Sequence, residues 1–239
     1  MSNVPASATI LLDFIGETET GRTGPDAYRT IYRHKQGTLP KPVTDFTLDE
    51  LLAAQLKWGK NWGSSAAGKY QIIRATLKGL VAELRLPGST KFSAAVQDQM
   101  GFALLKRRGW DKFAAGALSL KGYGNELARE WASFPVLNDM QGASRRVERG
   151  QSYYAGDGLN KSLVKPGDVE AVLSDVLNRL SVSNSAAKPV STSPKPSDTQ
   201  EATKPVSAPR KGGWLVLGII AAGSAIAAFV NWLVSLFGG

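Results

Sequence analysis

The composition breaks at Ser181, and that break limits what can fold. Residues 181–213 are nearly all Ser, Pro, Lys, Thr and Ala, and include Ser193-Pro-Lys-Pro196 and Lys204-Pro205. Such a stretch has too little apolar surface to offset the entropy of ordering it, so it reads as a disordered, partly extended linker. Any packed core must come from residues 1–180, enough for one globular domain. Beyond the linker, Trp214 to Phe237 is uncharged, with Ser224, Asn231 and Ser235 as its polar residues. Its 24 residues exceed the roughly 20 needed to cross a bilayer core, and the segment reads as one transmembrane helix. Trp214 and Trp232 suit the membrane interfaces, and Gly218, Ala222 and Ala227 would let helices approach closely.

The chain has no Cys and a single His, His34. Disulfides, thiolate metal sites, His clusters and His-based triads are excluded, and neither a metal nor a cofactor is expected. The formal charge is +9. Residues 187–213 hold five basic and two acidic side chains and 214–239 hold none, so the first 186 residues carry 24 basic against 18 acidic groups. The globular part is therefore basic in its own right and attracts a polyanion. No helix-turn-helix, zinc-finger or RNA-binding signature accompanies the charge, so no nucleic-acid partner is expected.

Apolar spacing predicts helices through most of the first 180 residues. Ile10, Leu11, Phe14 and Ile15 place one over 8–16. Thr47-Leu-Asp-Glu50 is a capping-box pattern that starts an amphipathic helix expected to stop near Gly59. Further helices are expected over 72–84, from Ser93 as N-cap to Gly109, from Leu127 to Phe134, and over 168–180. Strand signals are few: Tyr28 to Tyr32 alternates, and 67–73 could form its short partner. The fold class is α+β, mainly helical with a small β element.

The run Gly63-Ser-Ser-Ala-Ala-Gly-Lys-Tyr-Gln71 reads as a cleft wall, since small residues admit a ligand close to the backbone while Lys69, Tyr70 and Gln71 supply polar contacts. Trp58 and Trp62 could serve as platforms for a ring; Trp110 and Trp131 read as core.

Glu17 through Arg22, Ser65-Ala-Ala-Gly-Lys-Tyr-Gln71 and Trp131-Ala-Ser-Phe-Pro135 resemble, in order, the motifs of lambda-type bacteriophage endolysins, which are lysozyme-like lytic transglycosylases. The likeness spans residues 1–155. Lys69 stands where that family commonly has Arg, and the interval from the acid to Gly21-Arg22 is one residue shorter. The resemblance implies a lysozyme-like fold over 1–180 that cleaves the bond between N-acetylmuramic acid and N-acetylglucosamine in peptidoglycan glycan strands, whose free peptide carboxylates suit the basic charge.

Such cleavage needs a carboxylic acid whose pKa is raised by desolvation. Glu17 is the expected catalytic acid, shielded by Phe14 and the aromatics of 58–70, with Glu19 its rival. Lys69, Tyr70 and Gln71 are expected to bind substrate, as are Tyr153 and Tyr154, which sit where the family places a second Tyr-bearing wall. A hydrolysing muramidase with a second carboxylate, from Asp26, Asp45 or Glu19, is an alternative. So is a non-catalytic, membrane-tethered wall-binding or virion protein. Residues 1–16 lack a secretory pattern, and Arg210 and Lys211 precede the apolar segment. The expected location is thus the host inner membrane, tail-anchored, with the enzyme first in the cytoplasm and reaching periplasmic peptidoglycan later, through a holin-like partner.

Overall fold

A computed structural model describes residues 4–186 apart from 157 and 159; the first six residues of the expected linker 181–213 continue the last helix, and the rest of the linker and the apolar segment at 214–237 lie outside the described residues. Eight α-helices dominate the described part: α1 (Ala6–Thr20), α2 (Gly24–Arg29), α3 (Leu48–Trp62), α4 (Arg74–Glu83), α5 (Ala94–Arg107), α6 (Trp110–Ala114), α7 (Leu120–Glu130) and α8 (Pro166–Ala186). Two-residue strands β1 (Met140–Gln141) and β2 (Arg146–Val147) pair antiparallel, with Met140 opposite Val147. Among the described residues, no helix is long and apolar enough to cross a membrane.

The first helix is longer than its apolar spacing predicts. Glu17-Thr-Glu-Thr20 looks like a polar exit, yet Thr18 and Thr20 donate their hydroxyls to the carbonyls of Phe14 (2.9 Å) and Gly16 (2.6 Å), which keeps both threonines inside the helix. The end comes at Gly21, whose φ of 63° places it in the left-handed cap conformation, with its N–H donated to the Glu17 carbonyl at 2.8 Å. Glu17 and Glu19 are therefore both helical and, two positions apart, point to different sides.

α3 begins as the sequence indicates, with Thr47 and Glu50 making both bonds of the capping box. It passes through Gly59 and stops at Trp62. α4 falls within the expected 72–84, and Ser93 caps α5 by accepting from the Val96 N–H. α7 is displaced toward the N-terminus from the expected 127–134: Ser119 caps it, and Trp131 already has extended backbone. The predicted strand at 28–32 is mostly helix; what survives is an isolated bridge from Ile31 to Ala67, joined by a second from Ala67 to Ile72. Those two bridges fold the segment 67–72 into a tight turn beneath α1.

α1 is the spine of the core. Ala8, Leu11, Leu12 and Ile15 are at most 1% exposed, and the helix packs against α8 and α5. In the second half, Phe113 stacks on Tyr123 at 4.4 Å with Trp110 edge-on to both. Trp110 and Trp131 are buried, as expected for core residues.

Candidate active site

Glu19 lies on the inward face of α1, 2% exposed, at the wall of a small cleft of ≈ 60 Å³ that is also lined by Tyr70, Gln71, Ile73, Glu130 and Trp131. Burial raises its carboxyl to about 8, against which a hydrogen bond donated by the Ser133 hydroxyl acts in the opposite sense. At neutral pH the group is thus a protonated acid in a dry setting. Ser133 comes from the Trp131–Pro135 segment, 114 residues away in sequence. Phe14 of α1 meets Phe134 edge-on at 5.7 Å and helps hold that segment in place.

Glu17 is exposed, on the opposite side of the helix. It borders a separate pocket of ≈ 310 Å³ with Asp13, Arg22, Tyr28 and Lys69. The shielding expected for Glu17 falls to Glu19 instead, because the helix does not end at residue 16. Burial and chain direction, rather than the spacing to Gly21-Arg22, separate the two acids.

Lys69 does not enter the Glu19 cleft. Its stem crosses α1 at Gly16, where a Cβ would stand 2.4 Å from the Lys69 Cγ. The ammonium lies 2.6 Å from Asp13 Oδ1, 3.0 Å from the Tyr28 hydroxyl and 3.5 Å from Asp98 Oδ1. Burial alone would lower its pKa; the bonds to Asp13 and Tyr28 and the charge of Asp98 outweigh it and leave the group raised. Asp98 also accepts from the Tyr70 hydroxyl, and burial together with Asp98 pushes that phenol up. Tyr70 is thus 3% exposed, with its hydroxyl tied away from the cleft while the residue still lines it.

Gln71 adopts φ +45°, a left-handed conformation that is uncommon outside glycine and accumulates at functional sites. Its Nε2 donates to the carbonyls of Gly68 (2.7 Å) and Thr30 (3.3 Å), which leaves a buried Oε1 with no hydrogen-bond partner. From below, Gln55 secures the same turn by donating to the carbonyls of Ser65 (2.7 Å) and Ile72 (2.8 Å).

Tyr153 and Tyr154 meet edge to face at 5.1 Å, outside the lining of the Glu19 cleft. The Tyr154 hydroxyl donates to the Arg129 carbonyl at 2.7 Å, and the Arg129 guanidinium lies over the Tyr153 ring. Trp58 and Trp62 stack at 5.7 Å and line a different groove of ≈ 500 Å³ with Phe46, Lys57 and Asn61. The structure therefore brings Tyr70 and Gln71 to Glu19, and holds Glu17, Lys69, Tyr153 and Tyr154 elsewhere.

Ser133, Asp98 and Glu130 carry no local signal of a role in the sequence. Ser133 lies inside the Trp131–Pro135 motif, but nothing near it announces a partner 114 residues away along the chain.

A buried carboxyl whose pKa is raised, at the wall of a cleft, is equipped to donate a proton. The family model described as Endolysin matches residues 10–160. The chain belongs to the endolysin family. No curated protein and no solved structure matches it. The matched span of this endolysin runs from the middle of α1 to the segment before α8, and so contains Glu19, the 63–71 run and Ser133. An endolysin degrades host peptidoglycan, which makes peptidoglycan the substrate and lysis the outcome.

Proposed function

We propose that this endolysin resembles the lambda-type enzymes in mechanism as well as in motifs, and that it cuts the bond between N-acetylmuramic acid and N-acetylglucosamine as a lytic transglycosylase with Glu19 as its acid. The observation that carries this reading is the desolvated, protonated Glu19 carboxyl beside Tyr70 and Gln71. Glu19 gives its proton to the glycosidic oxygen as the bond to the anomeric carbon breaks. The muramyl hydroxymethyl oxygen then bonds to that carbon, its proton passes to the Glu19 carboxylate, and the acid is restored along with a 1,6-anhydro product. One carboxyl serves as acid and then as base. The buried environment favours the neutral form at both ends of the cycle.

The test is a pair of variants assayed on purified wall. Glu19→Gln should lower lysis by about 10²–10⁴, the range for losing a general acid, while Glu17→Gln stays near wild type. The reverse result would restore Glu17 as the acid. Mass spectrometry of released muropeptides should show anhydromuramyl ends. A digest containing only reducing ends would establish hydrolysis, the second reading, which the presence of another carboxyl side chain, Glu130, in the same cleft supports.

For the C-terminal segment the support is the sequence alone. We propose that residues 214–237 anchor the enzyme in the host inner membrane, with the folded part on the cytoplasmic side until a holin-like partner permeabilises the bilayer.

A further inference from the structure

The Glu19 cleft has a second carboxylate at its border whose placement is fixed from outside. Glu130, the last residue of α7, accepts from Arg108 Nε at 2.7 Å through Oε2. Arg108 also donates to the Arg129 carbonyl at 3.5 Å and approaches Glu126 at 3.9 Å, so the end of α5 clamps the end of α7. A planar guanidinium with several partners holds a carboxylate in one orientation better than a flexible ammonium does. The Glu130 side chain is 16% exposed, and Arg108 Nε holds it through Oε2 rather than Oε1.

On another wall of the cleft the Gln71 amide nitrogen is used twice and its oxygen is buried and unpartnered. The cleft therefore offers acceptor oxygens from Gln71 and Glu130 on different walls. A ligand that satisfies them must bring O–H or N–H donors, as a saccharide carrying hydroxyl and acetamido groups does.

We infer that Glu130 is a substrate-binding carboxylate, its Oε1 accepting a hydroxyl or acetamido donor of the sugar seated beside Glu19, with Arg108 as the residue that positions it. The inference rests on the glycosidase reading of the cleft and adds a contact that is independent of proton transfer. An ion-paired carboxylate serves as an acceptor without having to give up a proton, which suits it to holding substrate and leaves the acid chemistry to Glu19.

The experiment uses the full chain. Steady-state kinetics on soluble glycan strands released from peptidoglycan are compared for wild type, Glu130→Ala and Glu130→Gln, and calorimetric binding of the same strands is measured in the Glu19→Gln background. Glu130→Ala should raise KM and weaken binding about tenfold, with kcat within about threefold of wild type, as expected for losing one hydrogen bond to a charged group. Glu130→Gln keeps an acceptor oxygen and should recover most of the loss. If Glu130→Ala is too unstable to assay, Glu130→Asp, which withdraws the carboxylate by one methylene, must show the same rise in KM. Unchanged KM and binding alongside a lowered melting temperature would reduce Glu130 to a tie between α5 and α7. A collapse of kcat in Glu130→Gln at constant KM would make it a base acting on water. Either outcome overturns the inference, whereas a wild-type chain that neither binds nor cuts glycan would instead overturn the glycosidase reading itself.

Discussion

The proposed acid, Glu19, ties catalysis to instability in a way that pH can expose. Its folded pKa, about 8, lies above the ordinary value of 4.5, so between those values the folded chain holds a proton that the unfolded chain has released. Stability contributed by this group is complete below pH 4.5 and is lost as pH rises through 8. Glu19→Gln removes the titration, so its stability relative to wild type should climb by up to about 1.4 kcal/mol per pH unit across that window, as read by denaturant melts at pH 5, 6.5 and 8. A flat difference would mean that the carboxyl is not desolvated in solution. Activity that needs the protonated acid should fall as pH passes through about 8. Removing the Ser133 donor takes away the interaction that opposes the rise. Ser133→Ala should therefore shift the alkaline limb of the pH–rate profile upward, and Ser133→Thr should return it; a profile that does not move would leave Ser133 a packing residue. The motifs containing these groups were legible in the sequence, but which of Glu17 and Glu19 is buried was not. It depends on the helix continuing past residue 16 to the Gly21 cap, which turns the two side chains to different sides.

At the level of elements, capping chemistry could be read directly: Thr47 with Glu50, and Ser93, fall where side-chain hydrogen bonding requires. Helix α7 could not, because Gly122 and Gly124 weaken its local signal and tertiary packing supplies what propensity does not. Gly124 is needed there, since a Cβ would stand 2.2 Å from the Leu137 side chain. Gly16 has a similar role in α1, where it lets the Lys69 stem lie across the helix. Gly16→Ala, favourable by about 1 kcal/mol from helix propensity alone, should instead destabilise by about 1–3 kcal/mol through overpacking, measured as a lower melting temperature. A stabilised variant would show that Lys69 can lift away without loss. The turn at 67–72 depends on Gln55 in the same fashion. Gln55→Leu leaves two carbonyls without their donor and should cost about 1–3 kcal/mol, with hydrogen exchange accelerated at Ala67 and Ile72. Unchanged exchange would place the rigidity of the turn in its two bridges.

The whole molecule combines a described, basic catalytic part with a tail known here through its sequence. α8 reaches Ala186, so a chain cut after that residue keeps every described element and should digest purified wall at the full-length rate. In cell fractions the full-length chain should pellet with membranes and resist alkaline extraction, whereas the shortened one stays in solution. Recovery of both in the soluble fraction would remove the anchor. The excess of 24 basic over 18 acidic residues before 187 should make wall association faster at low salt and slower as ionic strength rises. The hydrogen bond between Ser133 and Glu19 links distant parts of the chain. Burial is what raises this carboxyl, and the segment that closes over it joins the chain 114 residues later, so the proposed acid owes its raised pKa to the finished fold rather than to its local sequence.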